Sequence, residues 1–183
     1  RASGGMEFFL GNTGVNPKKK KVLLPNYICW DFVKNIVKSG YEPVFYEIDG
    51  TFNPILADLF RRMSPEIFAV VIVHYFGFYC PLTEKIVGRC RENGIYAIED
   101  CAHLMYGKDI RKNIKGDVAI FSLKKQFPIP DGGILYDNTG VVEGKNSLRE
   151  IPRHKLNIGK NTSKLILKYY IQKVNFVKKK YNP

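Results

Sequence analysis

Short, near-continuous apolar runs restrict the fold of this chain more than any other feature. Phe68-Ala69-Val70-Val71-Ile72-Val73 runs for six positions without a polar residue. A strand built from it must be covered on both faces. Similar runs alternate with longer stretches of helical period, the order expected of β-α units feeding a mostly parallel sheet. The pattern predicts strands over 21–24, 43–48, 68–74, 95–99, 117–123 and 133–136. It predicts helices over about 5–10, 28–39, 54–62 and 82–93, each followed by Gly, Asn or Ser where a helix would stop. The expected fold class is α/β, with three α/β/α layers around a mostly parallel sheet.

With 183 residues, 45% apolar and 13% aromatic, the chain can bury a core of its own. It begins at Arg1 rather than at a Met and reads as a piece of a longer protein. No stretch approaches the ~20 apolar residues of a membrane span, and the start lacks the basic-then-apolar layout of a signal peptide. The expected location is the cytoplasm. Cys29, Cys80, Cys90 and Cys101 sit at irregular spacing with no C-x-x-C pair, so free and mostly buried thiols are expected, with no metal centre.

The net charge of +12 is unevenly distributed, because residues 141–183 hold eleven Lys or Arg against two Glu. The earlier part is nearly balanced, so nucleic acid is not an expected partner. After residue 138 the pattern turns polar and rich in Gly and Lys, then gives a last helix over about 162–177. The expected division is a main domain over 1–138 and a basic linker with a C-terminal helix over 139–183.

Four segments carry side chains suited to chemistry. Lys124 and Lys125 follow the apolar strand 117–123, where a lysine amine can meet a carbonyl inside an α/β site, although a lysine pair there is ordinarily surface charge. Glu99 and Asp100 end another apolar strand, the place where open α/β sheets put ligand-binding groups, and an acid there can equally cap a helix. Ala102 and His103 follow at once and could supply a small contact and a polar one. Ser3-Gly4-Gly5, just before Met6–Leu10, fits an anion cradle of free backbone N–H groups, to which Ser122 could add a hydroxyl.

In order and spacing these segments resemble the DegT/DnrJ/StrS family of pyridoxal-phosphate (PLP) aminotransferases of fold type I. The resemblance covers roughly residues 1–137, most of a large cofactor domain like that of aspartate aminotransferase, with the smaller C-terminal domain missing. Glu99-Asp100-Cys101-Ala102-His103 resembles the family's acidic motif. This implies Asp100 as partner of the pyridine nitrogen, Ala102 against one ring face and His103 as a neighbouring polar group. Val22-Leu23-Leu24-Pro25-Asn26-Tyr27-Ile28-Cys29 resembles the strand-then-Pro opening and puts Cys29 where many relatives carry an aromatic against the ring.

Gly116 to Ser122, followed by Asp131-Gly132-Gly133, resembles the lysine strand, with Ser122, Gly4 and Gly5 on the phosphate. Counting eight residues back from Gly133 gives Lys125 as the cofactor lysine. Only two residues separate it from Ser122, a shorter spacing than relatives commonly show. His74-Tyr75-Phe76-Gly77 also resembles a family segment and is given no catalytic role.

The implied activity moves an amino group from an amino acid to a keto-sugar or related small carbonyl, nucleotide-linked sugars included, in polysaccharide or secondary-metabolite biosynthesis. Lys125, Asp100 and His103 would be the catalytic residues, PLP the cofactor and a homodimer the complete form. The alternatives are a truncated, inert PLP-fold protein acting as a basic binding module, and another fold-type-I chemistry such as a lyase.

Overall fold

A computed structural model describes residues 2–13, 18–105, 110–129 and 131–142. Six strands form one sheet: β1 (Lys21–Pro25), β2 (Glu42–Tyr46), β3 (Ile67–Val73), β4 (Tyr96–Asp100), β5 (Val118–Ser122) and β6 (Gly133–Asp137). Their spatial order is β2-β1-β3-β4-β5-β6, parallel throughout except for the antiparallel edge strand β6. The helices are α1 (Ala2–Asn12), α2 (Trp30–Lys38), α3 (Leu56–Arg62), α4 (Thr83–Glu92) and the single turn α5 (Ile110–Asn113). Among the described residues no helix is long and apolar enough to cross a membrane. The helix expected over about 162–177 lies outside the described residues.

Strand alternation divides the apolar side chains between two faces. Val22, Leu24, Ala69, Val71, Ile98 and Ile120 pack on one face with α1 and α2. Leu23, Val70, Ile72 and Ala97 pack on the other with α3 and α4. This is the three-layer arrangement expected from the continuous apolar runs, and β3 is buried at six of its seven positions. Each Val, Leu or Ile among them contributes ~1.5–3 kcal/mol when fully buried.

The helices bury the faces their spacing predicts. In α4, Thr83, Ile86, Val87 and Cys90 recur every three or four residues and face the sheet. The chain then leaves through Gly94, whose φ of 59° suits a residue without a Cβ.

The first helix differs from expectation. It begins at Ala2, so Gly4 and Gly5 lie inside its first turns and not in a loop ahead of it. Gly5 serves a close approach: a Cβ there would stand 3.1 Å from Ile120 Cγ2. The periodicity of residues 5–10 marked the helix, and the weak helix propensity of Gly hid its start.

Candidate active site

The order β2-β1-β3 makes β1 a switch point. The connection after β1 leads into α2 on one face, and the connection after β3 leads into α4 on the other. Such divergence opens a crevice at the C-terminal ends of parallel strands. A cavity of about 430 Å³ lies there, lined by residues that follow β1 and β3 and by the ends of β4 and β5.

Six of the eight residues to which the family resemblance gives a site role line this cavity: Cys29, Asp100, Ala102, His103, Ser122 and Lys125. Gly4 and Gly5 are not among its lining residues. Alternation explains the choice between the two acids. Asp100 shares the face of Ile98, toward α1 and α2, and Glu99 shares the face of Ala97. Ser122 falls on the face of Ile120 by the same rule. Cys29 stands at the N-terminus of α2 and is exposed.

Asp100 is buried, and its Oδ1 accepts the Ala102 N–H at 3.0 Å. Burial pushes the carboxyl above the ordinary Asp range, opposed by that hydrogen bond and by Lys125, His103 and His74. A buried acid in that position gains from a cationic or N–H-bearing partner.

β5 ends at Ser122, and a tight 3-10 turn over Leu123–Lys125 follows directly. The turn accommodates the short spacing between Ser122 and Lys125. Both lysines reach the cavity, but Lys125 Nζ lies 2.8 Å from His103 Nε2. Desolvation, and then Lys125, hold His103 below the usual imidazole range, against the pull of Asp100.

The segment after β3 contributes more than the sequence reading gave it. His74 and Glu99 are fully buried, with Nε2 and Oε2 2.6 Å apart. Glu99 Oε1 also accepts the N–H groups of Lys115 and Gly116, at 2.7 and 2.6 Å. His74 Nδ1 accepts the Cys80 N–H at 3.0 Å, closing the loop that carries Tyr75 and Phe76 into the cavity wall. Phe76 has a φ of 55°, its ring lies within 13° of parallel to His103, and its N–H donates to His103 Nδ1 at 3.2 Å. Tyr27, Phe52 and Tyr75 complete an aromatic rim, with ring centroids 5.4–5.9 Å apart. A histidine closing an apolar strand and followed closely by Gly was the available signal.

A search of protein-family models matches residues 1–160 to the DegT/DnrJ/EryC1/StrS aminotransferase family. The chain belongs to that family. As a DegT/DnrJ/EryC1/StrS chain it is 31% identical over 130 residues to the GDP-perosamine synthase of Vibrio cholerae, a match covering 68% of this chain and 35% of the relative. It is 35% identical over 120 residues to a dTDP-4-dehydro-2,3,6-trideoxy-D-glucose 4-aminotransferase of Saccharopolyspora spinosa, covering 63% and 31%. Among solved structures, the aminotransferase TlmJ of Streptoalloteichus hindustanus superposes with a TM-score of 0.61 at 27% identity, covering 74% of this chain and 38% of that one. This family member therefore spans about a third of the length of the curated relatives it matches. The match extends past residue 137, where the motif resemblance stopped.

Proposed function

We propose that this chain is the cofactor-holding part of a PLP-dependent aminotransferase that aminates a keto-sugar, with an amino acid as donor. The observation that carries the reading is the meeting of Asp100, His103 and Lys125, from the ends of two adjacent parallel strands, in one cavity.

The donor set suits PLP. Asp100 is a buried acid that lines the cavity, fitted to hold the N–H of a flat cationic ring. Ala102 and Cys29 leave room for ring faces. Ser122 would hold the phosphate together with N–H groups of the first turn of α1, which approaches the same strand through Gly5 and Ile120. Lys125 would hold the cofactor covalently.

When bound, PLP supplies the electron sink through which an amino group is exchanged between carbons. The chain's own part is position and proton movement. Asp100 would hold the proton on the ring nitrogen. The Lys125 amine would carry a proton between the substrate carbon and the cofactor carbon. The two relatives named above act, by their names, on GDP- and dTDP-linked sugars, which favours a nucleotide-linked keto-sugar as acceptor.

The test is to mix the chain with PLP, reduce with borohydride, remove free cofactor by gel filtration and record absorbance for wild type, Lys125→Ala and Lys124→Ala. The expected result is a retained chromophore in wild type and Lys124→Ala and none in Lys125→Ala. Retention by Lys125→Ala, or none in wild type, overturns the assignment.

A further inference from the structure

We propose that the backbone N–H of Phe76 fixes His103 as the tautomer with hydrogen on Nε2 and aims that hydrogen at Lys125, making Phe76 and His103 positioning residues for the uncharged lysine amine. The functional part rests on the reading of Lys125 as the reactive lysine. The structural part stands alone.

Which atoms can donate decides the tautomer. The Phe76 N–H lies 3.2 Å from His103 Nδ1 and can only donate, so Nδ1 carries no hydrogen. The hydrogen of a neutral imidazole then sits on Nε2, which lies 2.8 Å from Lys125 Nζ. A lysine nitrogen meeting an N–H must offer a lone pair, which only the uncharged amine has. Protonating Lys125 would set two donors against each other, and protonating His103 would do the same at Phe76. A ring flip would put carbon atoms opposite both partners.

Two features make the arrangement rigid. Phe76 is one of two non-glycine residues with positive φ among those described, and that backbone directs its N–H at the ring. Its own ring stacks on His103, with centroids 6.0 Å apart. The loop carrying it is tied at both ends by His74, whose Nδ1 accepts the Cys80 N–H and whose main-chain N–H donates to Asp100 O at 3.1 Å. His74 therefore has the same tautomer, with its Nε2–H on Glu99. Uncharged amine is the form of lysine that bonds to a carbonyl carbon.

The chain has three histidines, His74, His103 and His154, so a sample labelled with ¹⁵N at histidine gives few signals in a long-range ¹H–¹⁵N spectrum. Signals are assigned with His154→Gln and His103→Gln, and no cofactor is added. His103 is expected as a single Nε2–H tautomer at neutral pH in wild type, in Lys125→Met and in Phe76→Gly, which keeps the N–H and tolerates positive φ. Phe76→Pro, which lacks the N–H, is expected to give a mixed or reversed tautomer. An Nδ1–H tautomer, or averaging of the two, in folded wild type overturns the proposal even if Phe76→Pro fails to fold. Because the spectrum is taken without PLP, its outcome is independent of whether borohydride fixes the cofactor on Lys125.

Discussion

His74 and Glu99 form a pair sealed within the sheet: Nε2 lies 2.6 Å from Oε2 and neither side chain reaches solvent. Every partner of the Glu99 oxygens is a donor, two of them the N–H groups of Lys115 and Gly116. The pair thus ties the exit of β3 to the approach to β5. His74→Ala is expected to cost ~3–5 kcal/mol, by taking a donor from a buried acid and leaving a cavity where the ring was. Glu99→Gln can keep the two backbone bonds but turns an NH₂ toward the His74 N–H, a loss of ~1–3 kcal/mol. Urea unfolding of both variants checks the order, and equal or negligible losses would contradict it.

At Asp100, stability and PLP retention are expected to move in opposite directions. Burial raises its carboxyl above the ordinary Asp range. Such an acid binds its proton more tightly folded than unfolded, so its contribution to stability falls as pH rises from the ordinary Asp range through the raised value. Above that value the penalty is complete, and Asp100→Asn removes it. The variant is expected to melt higher than wild type at neutral pH, by roughly 2–4 °C for each ~1 kcal/mol recovered. The gap should close as pH falls toward the ordinary Asp range, and the variant should retain less PLP. A lower melting temperature at neutral pH would count against the burial argument.

Two glycines should respond oppositely to alanine. A Cβ at Gly116 would lie 2.8 Å from Ala97 O and 3.2 Å from Glu99 Oε1, against a backbone that cannot yield cheaply. Gly116→Ala is expected to destabilise by ~1–3 kcal/mol. A Cβ at Gly88 in α4 meets nothing within 4 Å, so Gly88→Ala is expected to stabilise by ~0.5–1 kcal/mol through helix propensity. Denaturant midpoints of the two variants should fall on opposite sides of wild type.

The cysteines give a footprint of the cavity. Cys80, Cys90 and Cys101 are buried, and burial pushes their thiols up, that of Cys90 to about 12. Cys29 is exposed and lines the cavity. Iodoacetamide on the native chain is expected to modify Cys29 alone among these four by peptide mass spectrometry, and PLP is expected to slow it. Native labelling at Cys101, or no slowing by PLP, would be inconsistent with this cavity as the cofactor site.

The sequence by itself determined the layers. Continuous apolar runs such as Phe68 to Val73 can only be covered on both faces, and the three- and four-residue spacing of Thr83, Ile86, Val87 and Cys90 can only face one way. Most of the candidate site was legible for the same reason: Asp100, Ser122 and Lys125 sit at or just past strand ends, where a parallel sheet collects its ligand-binding groups. Which partner each side chain meets was decided only by the tertiary structure. Glu99 and Asp100 are neighbours in the chain, yet alternation sends one to His74 on β3's exit and the other to the cavity. Lys124 and Lys125 read alike until a 3-10 turn puts the second beside His103. Gly5 reads as part of an anion cradle until α1 packs it on Ile120. These contacts join residues some 20 or more positions apart, and local spacing carries no record of a hydrogen bond that forms only when separate strands pair in register.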